Sequence, residues 1–120
     1  MSFWRNTVIQ PALNSALDAA VNEQQELLRR DPSNPYAYFA LGTLAHLHGN
    51  TDAAIPFFLK AIELNPTYAA PRVSLGRIYA VKASYELAWQ HAREAERLGD
   101  PSLVQQLQRY PGLSRPVKEK

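Results

Sequence analysis

Three histidines and a scatter of carboxylates are the side chains of this 120-residue chain that could do chemistry. His46 and His48 stand two apart, which on a helix puts them on different sides, and His91 lies far along the chain. A zinc-type site needs three or four ligands converging on one point, so these histidines would need partners that the spacing does not supply. A hydrolase or metal enzyme would require His46, His91 and a carboxylate to meet. Asp18, Glu23, Glu26 and Glu63 fall at the spacing of solvated helix faces rather than of a paired acid and base. The chain has no Gly-rich phosphate loop, no Gly-x-Ser-x-Gly elbow and no His-Glu-x-x-His pair. It has no cysteine, which excludes disulfides, thiolate metal sites and cysteine nucleophiles. These observations point away from an enzyme, and no cofactor or metal is expected.

Charge narrows the partner classes. The net charge is +2, but residues 1–68 carry four basic and six acidic groups and residues 69–120 carry nine basic and five acidic. The resulting field suits an acidic peptide better than a nucleic acid, whose binders carry a dense basic stripe. Arg72, Arg77 and Lys82 step by five and so spiral around a helix instead of forming one patch. No apolar run reaches the 18 or more residues of a membrane span. The first twenty residues hold one basic side chain, Arg5, and no unbroken apolar core of signal-peptide length, so a cytoplasmic location is expected.

The elements that must position any site follow from a repeat. Leu41-Gly42 recurs as Leu75-Gly76, Ala20 as Ala54 and Ala88, Ala61 as Ala95, Leu64 as Leu98 and Pro32 as Pro66, every step being 34 residues. Within one period Asn34 can cap a helix with Pro35 at its first position; Tyr38, Leu41 and Ala45 mark one face, and Gly49-Asn50 stops it. Asn50 or Thr51 can cap a second helix, with Ala54, Phe58 and Ala61 as its stripe and Asn65-Pro66 as its end. Each period is therefore a helical hairpin. Gly42 sits mid-helix at a cost of roughly 1 kcal/mol relative to alanine, which makes sense where a second helix presses in. Ala54 and its neighbours on the second helix are expected to press on Gly42, and Ala88 is expected opposite Gly76.

This pattern resembles the tetratricopeptide repeat (TPR), carried by Tyr38, Leu41, Gly42, Ala54, Phe58, Ala61 and Pro66, then by Leu75, Gly76, Tyr79, Ala88 and Ala95. Arg72 departs from the family pattern where an aromatic is usual, and Ala92 where a large apolar residue is usual. The resemblance implies an all-α solenoid of stacked helical hairpins. A single domain over 1–110 is expected: a degenerate first repeat over 1–34, full repeats over 35–68 and 69–101, a capping helix over 102–110, and a flexible tail over 111–120. Ala12 to Arg30 reads as one amphipathic helix with Leu13, Leu17, Ala20 and Leu27 on a face. Trp4 falls 34 before Tyr38, so Phe3 to Ile9 reads as a worn first helix. Leu103, Val104 and Leu107 can cover Leu98 and close the stack.

From Pro32 to Thr51 twenty residues pass without an Asp, Glu, Lys or Arg. A helix apolar on every side is either buried or waiting for a partner. Tyr36, Phe39, Thr43 and His46 form a stripe beside the hairpin face of Tyr38, Leu41 and Ala45. In TPR proteins the first helix of each hairpin lines a concave groove that holds a peptide or helix. By that resemblance Tyr36, Phe39, Thr43, His46 and Leu47 line it here, joined by Val73, Ser74, Arg77 and Val81. Some members clamp a chaperone's C-terminal carboxylate with lysine, asparagine and arginine; Phe39, Thr43 and Ser74 stand at those sites and disfavour that ligand. The expected partner is an apolar protein segment with one acidic residue, which Arg77 could fork onto. The competing expectation is a homodimer in which Phe3 and Trp4 of one copy fill the groove of another.

Overall fold

A computed structural model of the chain describes residues 10–109. Among these residues there are six helices and no strand: α1 (Gln10–Arg30), α2 (Pro35–Leu47), α3 (Thr51–Leu64), α4 (Ala69–Val81), α5 (Tyr85–Arg97) and α6 (Ser102–Gln108). The paired helices of 13 or 14 residues are those the 34-residue period requires. The expected worn helix at Phe3 to Ile9 and the tail over 111–120 lie outside the described residues. The chain divides into two compact units, the first running to Lys60 and the second starting at Ala61, so the division falls inside α3.

In the first unit α1 packs on α2. Pro11 falls in the first turn of α1, where its missing N–H has no intrahelical partner to lose. Leu17 is buried, and Val21, Gln24 and Leu28 follow it half-buried at heptad spacing. The packed face is thus rotated from the Leu13, Leu17, Ala20, Leu27 face expected from sequence, and Leu13 and Leu27 stay exposed. Leu13 lies N-terminal to Asp18, which meets His48 just past the end of α2, so α2 does not extend far enough to cover it.

Asn34 caps α2 as expected, its Oδ1 accepting from the backbone N–H of Tyr36 and Ala37 at 2.9 and 3.3 Å. At the other end Gly49 adopts φ +84°, and the N–H groups of Gly49 and Asn50 return to the carbonyls of His46 and Ala45. Thr51 is the first residue of α3, so Asn50 holds the capping position. Ala54 and Phe58 of α3 are buried along with Ala37 and Leu41 of α2. A Cβ on Gly42 would lie 2.6 Å from Cε1 of Phe58, so of the second-helix residues expected to press in, it is the Phe58 ring, rather than Ala54 itself, for which Gly42 makes room.

The second unit is the α4–α5 hairpin with α6 laid against both helices. Its core joins Val73, Ala88, Trp89, Ala92, Ala95, Leu103, Val104 and Leu107, with Tyr79 and Ala80 packed against it. Among the described residues Trp89 is the largest fully buried side chain. A Cβ on Gly76 would meet the backbone oxygen of Ala88 at 3.3 Å, as expected, but would strike Cδ2 of Leu103 first. The short terminal helix therefore completes this hairpin from outside its own period. Leu98, which α6 was expected to cover, is only half-buried. Asp100 fixes the start of α6 by accepting from the Ser102 N–H at 3.0 Å; the Ser102 hydroxyl first, then that N–H, with Arg77 contributing, hold its carboxyl below the usual range.

Candidate partner-binding faces

The residues expected to line a groove fall on two helices, one in each unit. On α2, Tyr36 and Leu47 are 58% and 59% exposed, near opposite ends of a helix with no Asp, Glu, Lys or Arg. Between them Thr43 is half-buried and His46 exposed, its Nδ1 lying 3.0 Å from the Thr51 hydroxyl. Phe39 is different. It is half-buried, with its ring centroid 5.6 Å from that of Phe58, so it belongs partly to the hairpin interior rather than wholly to the open stripe.

On α4 the expected lining also divides. Val81 is 89% exposed, Ser74 half-buried, and Arg77 exposed. Val73 is buried in the core cluster and is not a lining residue. The reason is angular: one helical step of about 100° separates Ser74 from Val73, which faces the core shared by α4, α5 and α6. Arg77 donates from Nε to Oε1 of Gln106 at 3.2 Å, so one donor of its guanidinium is engaged by α6. Sequence reading missed that pairing because a contact between residues 29 apart leaves no trace in local periodicity. It also missed Trp89, although the signal was present: Trp89 follows Ile55 by 34, and Ala92 follows Phe58 by 34, so bulk moved one turn along the helix.

The histidines do not converge. Among the described residues no group of three or more His, Asp or Glu could hold a metal ion. His48 places Nδ1 3.0 Å from the Leu44 carbonyl oxygen and Nε2 3.2 Å from Asp18 Oδ1; both neighbours accept, so both bonds form together only on the doubly protonated ring. His91 is half-buried, lies mid-helix in α5 and stacks on Tyr79 with centroids 5.7 Å apart and planes 10° apart. Burial, and then the charge of Arg72, lower its pKa below the ordinary histidine value. The carboxylates form local pairs. Glu26 takes Arg29 and Arg30, and Glu94 takes Arg97, all within one helical turn and exposed. No helix among the described residues is long and apolar enough to cross a membrane.

Comparison with known families matches residues 14–69 to the tetratricopeptide repeat. Comparison with curated proteins gave no match. The matched segment runs from within α1 through α3, including residues 14–34 of the stretch expected to be a degenerate first repeat.

Proposed function

We propose that this chain, which belongs to the tetratricopeptide repeat family, is a non-enzymatic adaptor that holds an apolar peptide or helix of a partner protein against the first helix of its hairpins. Repeats of this family serve in general as protein interaction modules. The observation that carries the finer reading is on α2: Tyr36 and Leu47 present large apolar surface on a helix without Asp, Glu, Lys or Arg. Burying such surface supplies about 25 cal/mol per Å², and aromatic anchors concentrate that gain. Val81 and Arg77 offer the matching combination on α4, an apolar contact beside a cation suited to one acidic side chain. Thr43 and His46 supply a polar rim on α2, and Ser74 one on α4.

The test is capture of partner proteins by the full chain and by a Tyr36→Ala/Leu47→Ala variant. Loss of the captured partner, with an unchanged helical spectrum and melting temperature, supports the reading, whereas equal capture by both proteins refutes it. Arg77→Gln should weaken the same partner less, and more so at low salt, because an exposed charge is screened. The competing homodimer depends on Phe3 and Trp4, which lie outside the described residues. Sedimentation equilibrium of the chain beside Phe3→Ala/Trp4→Ala separates the two: a dimer lost in the double variant favours self-association.

A further inference from the structure

Three places in the chain fall where the 34-residue period closes a hairpin, and they do not behave alike. Gly49-Asn50 and Ala83-Ser84 break the helices there, each through a left-handed residue, at φ +84° and +63°. Their counterpart, Ser15-Ala16, lies inside α1, which runs unbroken from Gln10 to Arg30. Pro11 gives a local reason: it fits the first turn of α1, whereas a first helix over 1–13 would carry it near the end and lose a backbone bond. The straight helix leaves a face short of cover. In the other hairpins the second-helix positions Ala54, Phe58 and Ala61, and again Ala88, Ala92 and Ala95, are buried. In α1 the same positions are Ala20 and Gln24, both half-buried, and Leu27, 38% exposed. The residues that the period assigns to the covering helix, 1–13, include Gln10 to Leu13, which continue straight into α1 and so cannot also lie back on it.

We propose that a second copy of the chain supplies this cover: two chains exchange their N-terminal segments across antiparallel α1 helices, each covering the Ala20–Leu27 face of the other. An opened turn and a vacated face are what such an exchange requires, and because each copy gives what it receives, the pair closes with two-fold symmetry. The hairpin geometry sets the register. Gly42 lies on Phe58, and 34 residues earlier these are Val8 and Gln24. With Val8 of one copy level with Gln24 of the other, Ala12 meets Ala20, and Ala16 meets Ala16 at the two-fold axis, small residues that let two helices approach closely. Charge agrees with this direction. Arg5 is the one charged side chain in residues 1–17, and it comes level with Leu27, beside Glu23 and Glu26. There α1 carries a hollow of about 460 Å³ lined by Glu23, Gln24, Glu26, Leu27 and Arg30, two acids to one base, which suits that cation and the Trp4 ring next to it. A parallel pairing would instead set Glu23 against Glu23 and Arg30 against Arg30.

The experiment is sedimentation equilibrium of the full chain, refolded over a range of concentrations, beside two variants. The chain itself should be a dimer. Ser15→Gly/Ala16→Asn installs the Gly-Asn turn of the next period, so the first hairpin should close within one chain and the dimer should become a monomer that keeps its helical spectrum. Leu27→Arg places a second cation opposite Arg5 at an exposed position, and the Kd of the dimer should rise about tenfold or more. A chain that is monomeric at every concentration overturns the proposal, as does a turn variant that dimerises as well as the parent. If the turn variant does not fold, Leu27→Arg decides. Leu27 is not among the residues expected to line the groove, so a dimer that withstands Leu27→Arg has Phe3 and Trp4 seated elsewhere, and the exchange is refuted. The adaptor reading rests on α2 and α4 and is judged separately by partner capture.

Discussion

The hairpins of the two units follow one 34-residue plan and solve its central problem differently. Both place a glycine in the middle of the first helix, and both must fill the space that glycine opens. In the α2–α3 hairpin the filler is internal: the Phe58 ring of the second helix lies on Gly42. In the α4–α5 hairpin Ala92 stands where Phe58 would recur, Trp89 carries the bulk one turn earlier, and Leu103 of α6 reaches Gly76. The first solution uses contacts within a hairpin, while the second recruits a terminal helix. A repeat period thus specifies where space must be filled without specifying which residue fills it.

The most severe way to break the comparison is Trp89→Ala. It removes the largest fully buried side chain from a core already lined by Ala88, Ala92 and Ala95, leaving a cavity that small neighbours cannot close. A loss of about 3–5 kcal/mol is expected, measured by chemical denaturation. Amide exchange should place the damage in α4, α5 and α6, and uniform damage across α1 and α2 would contradict the division into two units.

Next comes Gly42→Ala. The added methyl meets the rigid Phe58 ring, with Cε1, Cδ1 and Cζ at 2.6, 2.8 and 3.0 Å, and overpacking of this kind costs about 1–3 kcal/mol despite alanine's better helix propensity. Gly76→Ala should cost less, because its nearest neighbour is the end of the Leu103 side chain, which can turn aside more easily than an aromatic ring. Phe58→Leu should recover part of the Gly42→Ala loss in a double-mutant cycle. If the two glycine variants are equally damaging, the contrast between the fillers fails.

The smallest effect is in the turns. Gly49 ends α2 at φ +84°, and its counterpart 34 residues on is Ala83 at φ +63°, with the same return bonds in both. A left-handed backbone suits glycine and strains alanine, so Ala83→Gly should stabilise the second unit by about 0.5–1 kcal/mol, read as a rise in denaturation midpoint. Gly49→Ala should destabilise the first unit by a similar amount. A loss of stability in Ala83→Gly would mean that backbone entropy outweighs the strain.

The sequence by itself determined the elements and their period. Helix ends were legible because a few adjacent residues decide them: Asn34 and Pro35 start α2, Gly49 stops it, and Asn65-Pro66 stops α3. The buried set Leu41, Ala54, Phe58, Ala61, Leu75, Ala88 and Ala95 was legible because helical spacing puts each member on a packed face. Tertiary structure decided the rest. It assigned Val73 to the core and left Val81 open, engaged Phe39 with Phe58 and Arg77 with Gln106, and stacked His91 on Tyr79. Helix ends depend on backbone hydrogen bonds closed within about five residues, whereas these outcomes depend on which side chain arrives from another helix and fills the space first.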